Sequence, residues 1–306
     1  MSKLIISFIR NIIENNKKES IITQIQHAIR KKDMNQLKDL INTGADLNFR
    51  NSSSCETLLT FACYNKYCDY DTMKLLIDNG ANVNNQNKYG ETALEKICFH
   101  SSPKCDNVEL FKLFISNGAD VNISSKYGIT PLVSACHVGN ENLVKLLLDN
   151  GANINININP THYNMYPPLV EACKHRNKNI VKLLLDNGAD PNIRATSGNT
   201  ALIEACKLEE KDIVRLLLAN RANVNILDYQ DHQELTALKI AISRENIDLI
   251  KILFEYNVNI DVVDNSGKNP ISYTSNLVII KMLKEEKIKR LIRQQPNNKY
   301  IFNPIL

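Results

Sequence analysis

The stretch Asp149-Asn150-Gly151-Ala152-Asn153-Ile154-Asn155 decides the fold, because it recurs along the chain. It returns as DNGANVN at 78–84, SNGADVN at 116–122, DNGADPN at 186–192 and ANRANVN at 219–225. A more distant copy, TGADLN, lies at 43–48, and a degenerate one, EYNVNID, at 255–261. The glycine slot therefore falls at 44, 80, 118, 151, 188, 221 and 257, with spacings of 36, 38, 33, 37, 33 and 36. Self-similarity at such a period marks stacked units that bury one another's apolar faces. The chain thus reads as one cooperative array, although 306 residues would otherwise suggest two or three domains.

Working outward from Gly151, the unit 125–157 is the cleanest. Tyr127-Gly128 signals a turn. Thr130-Pro131-Leu132 opens a helix, with Thr130 as N-cap and Pro131 at the first helical position. Ala135-Cys136 places small side chains where two helices approach closely, and Gly139-Asn140 breaks the chain. Leu143, Val144, Leu146, Leu147 and Leu148 give a second, strongly apolar helix, which Gly151 ends as a left-handed cap.

Two helical patterns per unit, the Thr-Pro-Leu opening and the Gly-Ala-Asn/Asp string together resemble the ankyrin repeat, over roughly residues 27–283. The resemblance implies an all-α solenoid of stacked helix-turn-helix units linked by β-hairpin fingers. The expected organisation is an N-terminal amphipathic helix at 1–20 and a capping half-repeat at 21–50. Six repeats follow at 51–86, 87–124, 125–157, 158–194, 195–226 and 227–261. A C-terminal capping repeat with a basic helix occupies 262–293, and 294–306 form a tail. The sequence departs from the family pattern in two ways. Thr-Pro-Leu is complete only at 130–132, and the histidine that usually follows is replaced by Thr60, Glu95, Val133, Val170, Ile203 and Lys239, which puts its capping bonds in question. Arg221 occupies a glycine slot, at an expected cost of about 1 kcal/mol. Asn257 is a tolerable substitute in the next one.

The resemblance also implies a non-enzymatic scaffold that binds a partner protein along its concave surface of fingers and inner helices. The exits of the inner helices read Phe99-His100, His137-Val138, Lys174-His175, Lys207-Leu208 and Ser243-Arg244. Finger tips add Lys88, Tyr89, Lys126 and Tyr127. Two lengthened fingers, 159–166 and 229–235, add His162, Tyr163, Met165, Tyr166, Tyr229 and His232, residue types that suit a contact loop. Aromatics beside cations fit an acidic or amphipathic peptide. Cys63, Cys98, Cys136, Cys173 and Cys206 share one slot and are expected to pack the core, because equivalent slots lie about 8–10 Å apart, too far for a disulfide. His137 follows Cys136 directly and so faces another way, which argues against a nucleophilic pair. No phosphate loop, metal cluster or catalytic set is expected, nor any cofactor or small-molecule substrate.

Charge is uneven. Net charge is +4 overall, but residues 1–33 carry seven Lys/Arg against three acids and residues 281–306 seven against two, leaving about −5 for the body. The whole is too weakly basic to imply nucleic acid. A row of bases, Lys38, Lys74, Lys112, Lys145, Lys182, Arg215 and Lys251, is expected to be a solvated helix face diluted by Asp78, Asp149, Asp186 and Glu255. The alternative function is a membrane-surface or nucleic-acid-associated protein using basic amphipathic termini. No run of apolar residues is long enough to span a bilayer and no secretory signal is apparent, so a reducing, cytoplasmic setting and a monomer are expected. Asn/Ile/Lys-rich arrays of this kind resemble those with which large DNA viruses and intracellular bacteria engage host proteins.

Overall fold

The structure is a computed structural model, and it describes residues 2–50, 56–63, 69–100, 108–156, 166–195, 198–230, 233–264 and 267–294. The chain forms two compact units, 1–189 and 190–306. In the first, a 30-residue helix α1 (Ser2–Lys31) and α2 (Met34–Asn42) precede four helix pairs. These are α3/α4 (Leu58–Ala62, Tyr70–Asp78), α5/α6 (Ala93–His100, Val108–Ser116), α7/α8 (Pro131–Val138, Glu141–Asp149) and α9/α10 (Pro168–Lys174, Lys178–Asp186). The second holds α11/α12 (Ala201–Lys207, Lys211–Ala219) and α13/α14 (Ala237–Ser243, Ile247–Glu255), then a 3₁₀ turn at Pro270–Tyr273 and α15 (Leu277–Gln294). The finger at 228–235 is a hairpin of β1 (Asp228–Gln230) and β2 (Gln233–Leu235), antiparallel with Tyr229 opposite Glu234. Helix α1 runs unbroken through residue 20, where the sequence suggested a boundary. Helix α15 buries Ile279 and Leu283, and Arg290 donates to the carbonyl of Val258 at 2.6 Å.

Local chemistry explains each pair. Thr57, Thr130, Thr200 and Thr236 cap the first helices, each accepting from the N–H three residues on. The threonine itself thus does the capping for which the family histidine is missing, and Thr60 closes a full capping box with Thr57. Pro167 at the start of α9 has no side-chain cap to offer. The second helices are capped by Asp33, Asp69, Asn140, Asn177 and Asn246. Their apolar stripes go inward; Leu143, Val144 and Leu147 are fully buried. So are Cys63, Cys98, Cys136, Cys173 and Cys206, all as free thiols. Burial pushes the Cys206 thiol up to about 12 and those of Cys98 and Cys136 higher still, so they serve as core atoms and not as nucleophiles. The row of bases is exposed as expected, with Lys74 paired to Asp78 and Lys112 to Glu109. Arg215 reaches across to Glu255 of the next repeat, at 2.6 Å.

The recurring string owes its composition to a ladder of asparagines. Asn84 donates to the carbonyl of Gly118 at 2.8 Å and accepts from the N–H of Asp120 at 2.8 Å. Asn122 does the same one repeat on, to Gly151 at 3.0 Å and from Asn153 at 2.7 Å. Asn48 forms the rung before, with Gly80 and Asn82, and in the second unit Asn192 bridges to Arg221 and Asn223. The earlier Asn or Asp of each string folds its own turn, as Asp120 does by accepting from the N–H of Asn122.

Left-handed backbone marks the helix ends. Gly151 has φ 79°, and Arg221 and Asn257 take the same region at 67° and 56°. Lys32, Arg176, Glu209 and Glu245 are also left-handed, at 55°, 57°, 60° and 52°. They occupy the slot of Gly139, immediately before the second helix's capping residue, a requirement visible in sequence only where glycine fills it. Arg221→Gly is expected to raise stability by about 0.5–1 kcal/mol, the relieved strain less the extra chain entropy of glycine. A urea midpoint below wild type would contradict this.

Candidate functional site

The exposed ends of the first helices and the finger tips of the first unit carry the candidate surface. Each finger tip is stapled from within. The side-chain oxygen of Asn87 accepts from the N–H groups of Tyr89 and Glu91, at 2.9 and 3.0 Å. Ser125 Oγ accepts likewise from Tyr127 and Ile129. The two fingers are then joined, Lys126 N–H donating to the carbonyl of Tyr89 at 2.8 Å and Gln86 to that of Ser124 at 3.1 Å. Gly90 makes this approach possible: its φ is 76°, and a Cβ there would lie 2.8 Å from the backbone nitrogen of Lys126. Lys88 lies over the Tyr89 ring at 5.0 Å, and Tyr89 remains 40% exposed. Lys126 is exposed and Tyr127 half-buried.

From the fingers the surface passes to an aromatic run on successive helices. Phe99, 46% exposed at the end of α5, meets His100 edge-on at 5.4 Å and stacks on His137 of α7 at 5.9 Å and 15°. His137 in turn meets His175, just past α9, edge-on at 4.5 Å. Burial, with the Lys96 charge nearby, holds His100 below the ordinary imidazole value. Beneath the rings lies Glu171, whose side chain is only 6% exposed and whose Oε1 is 2.6 Å from His137 Nδ1 and 3.1 Å from His175 Nε2. Lys174 places its Nζ 4.1 Å from the centroid of Tyr166. An ion pair and a buried carboxyl back the run on the Phe99 side. Lys96 binds Glu91 at 2.8 Å, while Glu95 is 3% exposed and its Oε2 has no hydrogen-bond partner. Burial first, then the neighbouring Glu91 charge, push the Glu95 carboxyl up to about 8.

The profile described as ankyrin repeats (3 copies) matches residues 25–105, 98–195, 157–228 and 172–265, which together take in most of the chain. The chain belongs to the ankyrin-repeat family. No curated protein sequence matches it. Among solved structures it is similar to the human ASB11 ankyrin repeat domain, at 25% identity and TM-score 0.59, over 76% of this chain and 98% of that one. It is also similar to the ankyrin repeat domain of Bcl-3, described as a unique member of the IκB protein family, at 26% identity and TM-score 0.60, over 75% and 97%. Ankyrin repeats are general protein–protein interaction modules. Among the described residues, no helix is long and apolar enough to cross a membrane.

In this ankyrin array the structure brings together Lys88 with Tyr89, Phe99 and His100 with His137 and His175, and Lys174 with Tyr166. It engages the basic residues of the second unit: Lys207 lies 3.6 Å from Glu204 and 3.0 Å from Asn199 of its own repeat, and Arg244 lies 3.4 Å from Glu209 of the preceding repeat. The inner row of that unit is thus less cationic than its sequence suggests. His162, Tyr163, Met165 and His232 lie outside the described residues, and Tyr229 is described in its backbone alone. Glu171 is the residue sequence reading passed over. It stands 34 residues after His137 and four before His175, so only the stacking of two repeats puts all three together.

Proposed function

We propose that the protein is a non-enzymatic scaffold that captures a partner protein through the fingers and first-helix ends of its first unit. The observation carrying this reading is the run of exposed rings, Tyr89, Phe99 and His137, on a frame whose backbone is stapled within and between repeats. A rigid aromatic surface loses little conformational freedom on binding, which is what makes such residues binding anchors. Lys88 lies over the Tyr89 ring, Lys174 lies over Tyr166, and Lys126 is exposed on the finger bonded to Tyr89, so the favoured partner segment presents acidic residues next to apolar ones.

The test is selection of peptides from a random library against the full chain, followed by affinity measurement on variants. Tyr89→Ala with Phe99→Ala is expected to weaken the selected peptides at least tenfold, because truncating a central aromatic anchor costs about 2 kcal/mol. Lys182→Ala and Lys251→Ala, on the second helices, should leave affinity unchanged. Peptides that bind the double variant as tightly as wild type would overturn the assignment of the surface.

A further inference from the structure

The ring of donor atoms around Glu171 carries an inference independent of any protein partner. Three atoms converge there: His137 Nδ1, His175 Nε2 and Glu171 Oε1. Their separations are 2.6 Å (His137 to Glu171), 3.1 Å (His175 to Glu171) and 3.2 Å (His137 to His175). With Glu171 ionised, no placement of ring protons satisfies all three contacts. Protons on both facing nitrogens make two good bonds to the carboxylate but set two N–H groups against each other. A proton on one leaves a nitrogen lone pair facing a carboxylate oxygen. A single cation among the three would accept a lone pair from each donor once the 2.6 Å His137–Glu171 edge has opened, with both ring protons moved to the outer nitrogens.

The dimensions and the donor types select the cation. Bonds of about 2.0–2.1 Å in a tetrahedron set donor atoms about 3.3 Å apart. Two of the three edges here are within about 0.2 Å of that. The third opens by movement of His137, whose side chain is 46% exposed, while Glu171 stays fixed at the base. Calcium and magnesium require six or more oxygens, and this site offers one carboxylate among two imidazoles. Nitrogen-rich, four-coordinate sites suit zinc and its neighbours. The scaffold holds the donors from two sides: α7 and α9 pack directly on each other, and Glu171 in α9 and His175 at its C-terminal cap lie four residues apart.

We propose that His137, Glu171 and His175 form a three-donor site for a divalent transition-metal ion, Zn2+ fitting best, with the fourth position open to solvent. This replaces the expectation, formed from sequence, of no metal site. No sequence motif marks the site, because the cysteine row that invited a zinc reading is core and the three donors are spread over two repeats.

The experiment titrates chelator-treated full chain with Zn2+ alone by calorimetry, and with Co2+ by visible absorption. One ion per chain at micromolar or tighter affinity is expected, with the intense absorption of four-coordinate Co2+, and with a rise in melting temperature because the ion binds the native state alone. Ca2+ should produce none of these. His137→Gln with His175→Gln removes both surface donors and is expected to weaken Zn2+ at least a hundredfold and abolish the thermal shift. Glu171→Gln should weaken it at least tenfold. If the buried Glu171 substitution unfolds the repeat, seen by circular dichroism, the two exposed histidines carry the test. No binding below millimolar Zn2+, or wild-type binding by the double variant, would overturn the proposal. Because the probe is the ion alone, that failure leaves the partner-binding reading untouched, and loss of peptide binding in the Tyr89/Phe99 variant leaves this one untouched.

Discussion

Glu95→Gln is expected to flatten the protein's loss of stability in alkali. Measured against wild type, its advantage should grow by roughly 3–4 kcal/mol between pH 5 and pH 9. The Glu95 carboxyl is almost wholly buried, its Oε2 lacks a partner, and the neighbouring cation Lys96 is engaged 2.8 Å from Glu91. Burial and the Glu91 charge raise it from an ordinary 4.5 to about 8 in the folded chain. Between those values the folded state holds a proton that the unfolded state has released. The stability that this carboxyl contributes is therefore fully present below about 4.5 and is lost as pH rises through about 8, the reverse of an ion-paired carboxylate. The glutamine amide mimics the protonated acid in shape and never ionises, so the variant's curve lacks this slope. Glu56, also pushed up by its burial, contributes equally to both proteins and drops out of the comparison. Urea unfolding at pH 5, 7 and 9 measures the difference. Parallel curves for the two proteins would mean that Glu95 ionises freely in the fold.

Glu95 also illustrates what a sequence conveys here. It fills a slot the family usually gives to histidine, and the sequence shows that replacement plainly. What it does not show is that Thr92 supplies the cap, Glu95 N–H donating to its hydroxyl at 3.2 Å, while the Glu95 carboxyl is buried with its Oε2 unpartnered. The helices, their order, the glycine ends and the cysteine core were legible because each rests on local periodicity repeated many times. The left-handed Arg176, Glu209 and Glu245 were not, because a residue's φ is set by the turn it must complete and not by its own preference. The site followed the same division. Exposure of Phe99 and Tyr89 could be read from their register, whereas the Glu171–His137–His175 convergence depends on how far one repeat shifts and turns against the next, which no single repeat encodes.

The asparagine ladder yields the second large effect: Asn84→Ala with Asn122→Ala is expected to destabilise the first unit by about 4 kcal/mol. Each side chain makes two bonds across a repeat boundary, one as donor to a glycine carbonyl and one as acceptor from a backbone N–H. At about 1 kcal/mol per bond the two residues account for four such contributions. The bonded backbone groups include the carbonyls of Gly118 and Gly151, which end their helices and find no partner within them. Asn117 and Asn150 provide the control. They too are asparagines in the same strings, but they donate to Leu113 and Leu146 of their own helices, at 2.8 and 2.7 Å. Asn117→Ala with Asn150→Ala should therefore cost about half as much and leave the repeats coupled. In a stacked array, stability is the sum of repeat and interface contributions, so weakening two consecutive interfaces should also split the unfolding transition, while weakening two helix ends should merely shift it. Equal shifts from the two pairs, with one transition in each, would assign the string to helix termination and deny it a part in holding neighbouring repeats together.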